Sequence, residues 1–119
     1  MQMKAGFDVL RLVSGQKDPA NLEIELENND DISQMVSVAV RIPFSFGFDL
    51  VGLEREKIIK VGEIQPKEVK RIVVPIFPKP SVRPGEYEFV TKMRVHPGGR
   101  WDKVAYEEQL KTFLRVIKT

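Results

Sequence analysis

Hydrophobic and polar residues alternate along most of the chain, which is the pattern of β-strands with one buried face. The segment LEIELE places Leu22, Ile24 and Leu26 on one face and glutamates on the other. The segment MVSVAVRI repeats the alternation from Val36 to Ile42. A helix would distribute the glutamates around its surface, so we predict strands in both segments.

Five further segments alternate in the same way and are separated by turn-forming residues. They are AGFDVLRLV near the N terminus, the run around Ile59 and Val61, the run from Ile72 to Ile76, residues 87–96 and residues 105–117. About seven short strands with regular turns predict an all-β protein, and the 119 residues are enough for one domain over residues 1–119. The predicted core comprises Leu22, Ile24, Val36, Val38, Val40, Ile72, Val74, Tyr87, Phe89 and Leu114.

The segment RPGEYEFV predicts the turn that enters the next-to-last strand. Pro84 ends the preceding segment, and Gly85 permits backbone angles that other residues avoid. Tyr87 then points its ring inward, and its hydroxyl can bond the backbone at the corner, as a tyrosine does in immunoglobulin domains. The segment HPGGR at residues 96–100 predicts the hairpin to the last strand. These features favour an immunoglobulin-like antiparallel β-sandwich.

The order of the features resembles bacterial and archaeal immunoglobulin-like modules, namely cell-adhesion-related domains and the fibronectin-like accessory domains of glycosidases. The resemblance rests on NLEIELENND, VGEIQPKEVKRIVVPI, RPGEYEFVTKMRV and LKTFLRVI, and it covers residues 20–117. It implies an immunoglobulin-like sandwich that serves as a module.

The residue types present argue against the usual catalytic and metal sites. The chain has no cysteine and one histidine, which argues against a zinc or blue-copper site and a disulfide. That residue, His96, lacks an accompanying nucleophile motif, and we interpret it as a surface histidine. The NNDD segment at residues 28–31 lacks the spacing of a calcium loop, and we interpret it as a hairpin turn. We therefore expect no enzymatic activity, no cofactor and no bound metal.

The charges are nearly balanced, with 19 Lys and Arg against 17 Asp and Glu. The small basic cluster of Lys67, Lys70 and Arg71 is interpreted as a solvated strand face, because few aromatic residues interleave with it. We therefore expect no nucleic-acid partner. A composition rich in Lys, Arg and Glu is typical of thermophilic proteins.

The N-terminal segment lacks the uninterrupted apolar run of a secretory signal, since Asp8 and Arg11 divide it. Nowhere does an apolar run reach the about 18 residues of a membrane span. We therefore expect a cytoplasmic protein, or an extracellular one if the chain is a domain from a longer protein.

The segment PFSFGFDLVGL is the strongest sequence indication of a functional surface. Phe44, Phe46, Phe48 and Leu50 keep the parity of the preceding strand, and Asp49 is the one charged residue within positions 44–53. We predict a bent edge strand or a long loop here. It either caps one end of the core or presents an apolar surface to a protein partner or a second copy.

Trp101, beside the last hairpin, is a second candidate contact, because aromatic residues are enriched at interfaces. We therefore predict a non-catalytic protein-interaction or assembly module, with a protein partner or self-association through Phe44, Phe46, Phe48, Leu50 and Trp101. The alternative is a carbohydrate-binding accessory domain, for which Trp101 with Arg100 and Asp102 is the candidate sugar platform.

Overall fold

The computed structural model describes residues 1–118 as two β-sheets around one hydrophobic core. One sheet contains β1 (Gln2–Phe7), β3 (Ala20–Glu27), β7 (Val69–Pro78) and β5 (Phe46–Gly47), in that order. The other contains β2 (Arg11–Val13), β9 (Tyr106–Ile117), β8 (Gly85–His96), β4 (Gln34–Arg41) and β6 (Glu56–Ile64), in that order. A single 3₁₀ turn at Pro97–Gly99 follows β8. Thr119, the last residue of the predicted domain, lies outside the described residues.

Six of these strands have the neighbour order of an immunoglobulin sandwich. Strands β1, β3 and β7 correspond to A, B and E of one sheet, and β4, β8 and β9 correspond to C, F and G of the other. The predicted fold class, an immunoglobulin-like β-sandwich, is therefore confirmed.

The predicted strand number and the all-antiparallel pairing both need correction. The structure has nine strands where the sequence predicted about seven. The N-terminal run divides into β1 and β2, which join different sheets, and β5 is a two-residue strand inside the apolar segment. Strand β2 runs parallel to β9, whereas the other described pairs are antiparallel.

The core lies between the inner faces of the two sheets, as the alternation predicts. Eight of the ten predicted core residues are buried, and the other two, Ile72 and Tyr87, are partly buried and pack against the core. The largest fully buried side chains are Phe46 and Phe89, whose rings meet edge to face at 5.1 Å between centroids. Burying a side chain of this kind stabilises the fold by about 1.5–3 kcal/mol.

The turn before β8 has the predicted tyrosine corner. The Tyr87 hydroxyl donates a hydrogen bond of 2.6 Å to the Arg83 carbonyl, four residues upstream. Gly85 has a φ of +154°, a conformation that residues with a side chain rarely adopt. Both features are local in sequence, and both were predicted from RPGEY.

The predicted hairpin at residues 28–31 is wrong, because β3 and β4 belong to different sheets and the connection crosses between them. Asn28 is fully buried in this crossing. Its side-chain Nδ2 donates to the carbonyls of Ile32 at 2.8 Å and Ile64 at 2.9 Å. The amide therefore joins the β3–β4 loop to the end of β6. Turn-forming residues mark a change of direction, but they do not show which strand the chain joins next.

Thr91 offers a test of the packing inside the core. Its side chain is fully buried, and its hydroxyl has no hydrogen-bond partner among the described residues. We expect Thr91→Val to raise the free energy of unfolding by about 1 kcal/mol in urea denaturation, because it removes a buried unpaired hydroxyl at nearly constant shape. The partly exposed Thr112 of β9 is the control, and Thr112→Val should change stability by less than about 0.5 kcal/mol. A loss of stability in Thr91→Val would contradict the prediction.

Candidate functional site

The loops gather at the two ends of the sandwich. Three connections meet at one end, at residues 28–33, 65–68 and 97–105. They meet there because Gln34, at the start of β4, pairs with Ile64 at the end of β6, and Met35 pairs with His96 at the end of β8. We call this the β8–β9 end. The opposite end, the β5 end, carries the connections at residues 8–10, 14–19, 42–55 and 79–84.

The β5 end presents an apolar loop, defined here as residues 43–53. Four of its large hydrophobic side chains are between 70% and 82% exposed, namely Phe44, Leu50, Val51 and Leu53. Single exposed hydrophobic residues are normal on a protein surface, so several within one short segment make this loop a candidate interaction site.

A side-chain carboxylate and a close backbone contact constrain the backbone of the apolar loop. The Asp49 carboxylate accepts hydrogen bonds from the backbone N–H groups of Val51 at 3.0 Å and Gly52 at 2.8 Å. Gly47 lies so close to Gly52 that a Cβ atom on Gly47 would stand 2.5 Å from the Gly52 Cα. A loop fixed in this way loses less conformational entropy when a partner covers it.

Two cations flank the exposed Phe44 ring. The Arg55 guanidinium lies 3.6 Å from the ring centroid, and the Lys79 ammonium lies 4.9 Å from it. Arg55 also donates to the Phe44 carbonyl at 3.1 Å. These contacts hold Phe44 at the surface without burying it.

Phe46 is wrongly placed among the predicted contact residues. It is fully buried, and its ring packs edge to face against Tyr87 and Phe89, each at 5.1 Å. Phe48 is half-buried against the core, whereas Leu50 is exposed. A Phe46→Asp, Phe48→Asp double variant would therefore disrupt the core rather than a surface.

The parity argument failed in this segment because only Phe46–Gly47 forms a strand. The segment caps the core with Phe46 and Phe48 and leaves Phe44, Leu50 and Leu53 exposed. Val51 is a surface residue that the parity argument did not single out. Val51 does lie within positions 44–53, and the near absence of charge there is the sequence signal that could have identified it.

Strand β6 presents a nine-residue open edge that is protected against pairing. The register of β4 and β6 shifts between Val36 and Ser37, which marks a bulge, and Gly62 in β6 has a φ of +95°. Lys57, Lys60 and Glu63 add exposed residues with charged side chains along the same strand. Bulges and charges of this kind oppose edge-to-edge association. The apolar loop is therefore the better candidate contact than this edge.

His96, at the β8–β9 end, is buried rather than exposed, which corrects its interpretation as a surface histidine. Its Nδ1 lies 2.7 Å from the Lys103 carbonyl, and its Nε2 lies 2.7 Å from the Ser37 hydroxyl. Because a carbonyl only accepts, Nδ1–H donates to Lys103, and Nε2 forms a hydrogen bond with the Ser37 hydroxyl. Both ring nitrogens are engaged in holding the loop to the sheet.

Trp101, in the β8–β9 loop, packs against the His96 ring. The two rings meet edge to face at 5.0 Å, and the Lys60 ammonium lies over the indole at 5.3 Å. The residue is 37% exposed. Trp101 is thus held by packing, and Lys60 occupies a face of the ring that a sugar platform needs open.

The basic residues noted in the sequence lie beside carboxylates. Arg71 is 3.2 Å from Glu25, and the ammonium groups of Lys70 and Lys67 lie within 4.0 Å of Glu68 and Asp31. This arrangement matches a solvated strand face.

On the outer face of the five-stranded sheet, the hydrogen bond from Arg94 holds the pKa of Glu107 below its ordinary value, and Lys92 acts in the same direction. Within residues 1–118, no group of three or more metal-ligating side chains comes together.

These observations define a class, an immunoglobulin-like sandwich with an apolar loop at one end. At the other end the loops are held to the strands by the buried side chains of Asn28 and His96. No protein-family model matches the chain, and no curated protein matches it in sequence. None of the described helices is long and apolar enough to cross a membrane.

Solved structures do match the fold. Self-complemented MyfA, the major subunit of Myf fimbriae from Yersinia enterocolitica, in complex with galactose, is 13% identical with a TM-score of 0.53, and 98% of each chain is covered. The alpha-2-macroglobulin of E. coli is 17% identical with a TM-score of 0.57, over 96% of this chain and 7% of that one. A family 123 glycoside hydrolase from Clostridium perfringens is 10% identical with a TM-score of 0.57, over 99% of this chain and 28% of that one. At these identities the similarity shows the fold alone.

Proposed function

We propose that this domain is a non-catalytic protein-interaction module that assembles with a second copy of itself through the apolar loop. The observation that carries the proposal is the exposure of Phe44, Leu50, Val51 and Leu53 on a loop whose backbone is held by Asp49 and by the Gly47–Gly52 contact. A non-catalytic role is supported by the engagement of both nitrogens of the sole histidine and by the absence of cysteine.

The energetics favour a symmetric contact between two such loops. Each large apolar side chain that becomes fully buried contributes about 1.5–3 kcal/mol. In a two-fold contact every side chain counts twice, so the four residues supply eight buried groups. Association itself costs about 4–15 kcal/mol, which this burial can exceed.

The structural neighbours are compatible with an assembly role, because one of them is a major fimbrial subunit. The structure of the same neighbour is a complex with galactose, which supports the carbohydrate-binding alternative. In this chain the candidate sugar platform is weaker, because Lys60 lies over Trp101 and Arg100 pairs with Asp102 at 3.1 Å. We therefore favour protein association over sugar binding.

A Leu50→Asp, Leu53→Asp double variant tests the proposal. Both side chains are at least 80% exposed, so the variant should keep its far-ultraviolet circular dichroism and its melting temperature. We expect light scattering at micromolar concentrations to show a dimer for the parent and a monomer for the variant, because two charges would enter the apolar contact.

Leu10→Asp is the matched control. Leu10 is 95% exposed and follows β1, at the edge of the four-stranded sheet opposite β5. This variant should remain a dimer. A monomeric parent, or equal dissociation of both variants, would contradict self-association through the apolar loop.

A further inference from the structure

A groove at the β8–β9 end runs between the β3–β4 loop and the β8–β9 loop. Its two adjoining depressions have volumes of about 500 Å³ and about 470 Å³. They share Gln34, Val95 and Ala105, so they form one continuous groove. Binding sites for organic ligands commonly have volumes of about 300–1,000 Å³. The groove lies at the end of the sandwich opposite the apolar loop and is independent of the proposed self-association.

The lining of the groove combines apolar surface with negative charge. Ile32, which is 68% exposed, lines one wall, and Pro97 lines the other. Among the residues that the structure describes along the groove, Asp30 and Glu63 carry charged side chains and neither a lysine nor an arginine side chain contributes. Met1 also lines the depression that contains Asp30 and brings its α-amino group to that end. The negative charge of the side chains is notable in a chain whose net charge is +2.

The two carboxylates differ in their surroundings. Asp30 accepts a hydrogen bond from the Gln34 side chain, which orients it at the groove. Glu63 is exposed and makes no ion pair with another described residue. Within residues 1–118, Glu63 is thus an unpaired carboxylate that lies next to an apolar wall. Such a site is complementary to a ligand that carries both an apolar and a cationic group.

Both walls of the groove are held in place by buried polar groups. Asn28 ties the β3–β4 loop to the end of β6 through its side-chain amide. On the other wall, His96 at the end of β8 forms hydrogen bonds with Ser37 of β4 and with Lys103 of the β8–β9 loop. It therefore holds the loop against the sheet. Rigid walls reduce the conformational entropy that binding would cost.

We propose that this groove binds an extended peptide segment of a partner protein, in which apolar side chains alternate with lysine or arginine. Its apolar side chains would contact Ile32, Val95 and Pro97, and its cations would pair with Asp30 and Glu63. An alternating sequence suits an extended peptide because successive side chains point to opposite sides. A neutral sugar carries no cationic group to pair with the two carboxylates, so it matches the charge of the groove less well.

Peptide titration tests the proposal directly. The probe is an acetylated and amidated hexapeptide that alternates lysine with leucine, which spans about 20 Å when extended. The matched peptide alternates glutamate with leucine. Trp101, the only tryptophan, is a fluorescence reporter because its ring packs on His96 in the groove wall. We expect the lysine peptide to bind at least about ten-fold more tightly than the glutamate peptide.

Charge variants then locate the site. Glu63→Gln and Asp30→Asn should each weaken the lysine peptide up to about five-fold, because a solvent-accessible ion pair contributes up to about 1 kcal/mol. Glu86→Gln is the control, because Glu86 is an exposed residue at the distant start of β8. Amide chemical-shift changes in the parent should cluster around Ile32 and Val95. This NMR measurement needs no variant, so it holds even if a variant is unstable.

Three outcomes would overturn the proposal. One is equal affinity for the two peptides, which would show that charge does not select the ligand. Another is the absence of shift changes up to about 1 mM lysine peptide, which corresponds to a binding free energy weaker than about −4 kcal/mol. The third is a cluster of shift changes at the apolar loop, which would place the peptide at the other end of the sandwich.

Discussion

Phe46→Ala is expected to lower the free energy of unfolding by about 3–5 kcal/mol, which is a large share of the stability of a small domain. The side chain is fully buried and packs edge to face on both Tyr87 and Phe89. Removing it would leave a cavity at the point where the short strand β5 meets the end of β7. Urea denaturation followed by circular dichroism measures the loss.

Phe44→Ala is the matched control for this prediction. The two phenylalanines are two positions apart and belong to the same apolar segment, but Phe44 is 75% exposed. Its contacts to Arg55 and Lys79 are worth about 0.5–1 kcal/mol at an exposed site. We therefore expect a loss of no more than about 1 kcal/mol. Similar losses for the two variants would show that Phe46 is not a core residue.

Asn28→Asp is expected to lower the free energy of unfolding by about 3–5 kcal/mol at neutral pH. The substitution keeps the shape of the side chain but replaces the amide donor with an acceptor. Two backbone carbonyls, those of Ile32 and Ile64, would then face a carboxylate at the positions where they now accept hydrogen bonds. Because the residue is fully buried, the carboxylate could not be rehydrated without opening the crossing between the sheets.

The free energy of unfolding of the same variant should fall as the pH rises. Burial beside two carbonyls would raise the pKa of the new carboxyl at position 28 above its unfolded value, because both effects disfavour the charged form. A protonated carboxyl can donate to one carbonyl, so the folded variant is relatively most stable below the unfolded pKa. Its stability is then lost as the pH rises through the folded pKa.

Asn29→Asp provides the control for both expectations. Asn29 is the next residue and is exposed, and its backbone carbonyl, rather than its side chain, accepts the 2.7 Å hydrogen bond from Lys67. This variant should differ from the parent by less than about 0.5 kcal/mol. Thermal unfolding across a pH series compares the variants. Equal stability of the two variants at neutral pH would show that the Asn28 amide does not hold the crossing.

Most of the strands could be predicted from the sequence because their signals are short-range. The alternation in LEIELE sets which side chains of β3 share a face, since successive residues of a strand point to opposite sides. The tyrosine corner is also local, with Tyr87 and Arg83 four residues apart. For the same reason eight of the ten predicted core residues are buried.

The sheet to which each strand belongs could not be predicted in this way. The NNDD and QPKE segments both have turn chemistry, yet both connect strands of different sheets. A turn fixes a local change of direction, whereas strand pairing depends on residues far apart in the chain. Likewise, the N-terminal run reads as one strand, and its division into β1 and β2 follows from pairing with β3 and β9.

The candidate surfaces show the same division between local and distant contacts. The sequence by itself determined that residues 43–53 are apolar and nearly uncharged, and that one histidine is present. Only the tertiary structure decided that Phe46 turns into the core while Phe44 stays outside, because Phe46 meets Phe89 across the sandwich. It also decided that His96 is buried, through a hydrogen bond to Ser37, which is 59 residues away. Local periodicity sets which face a side chain occupies, but the contacts that cover that face come from distant parts of the chain.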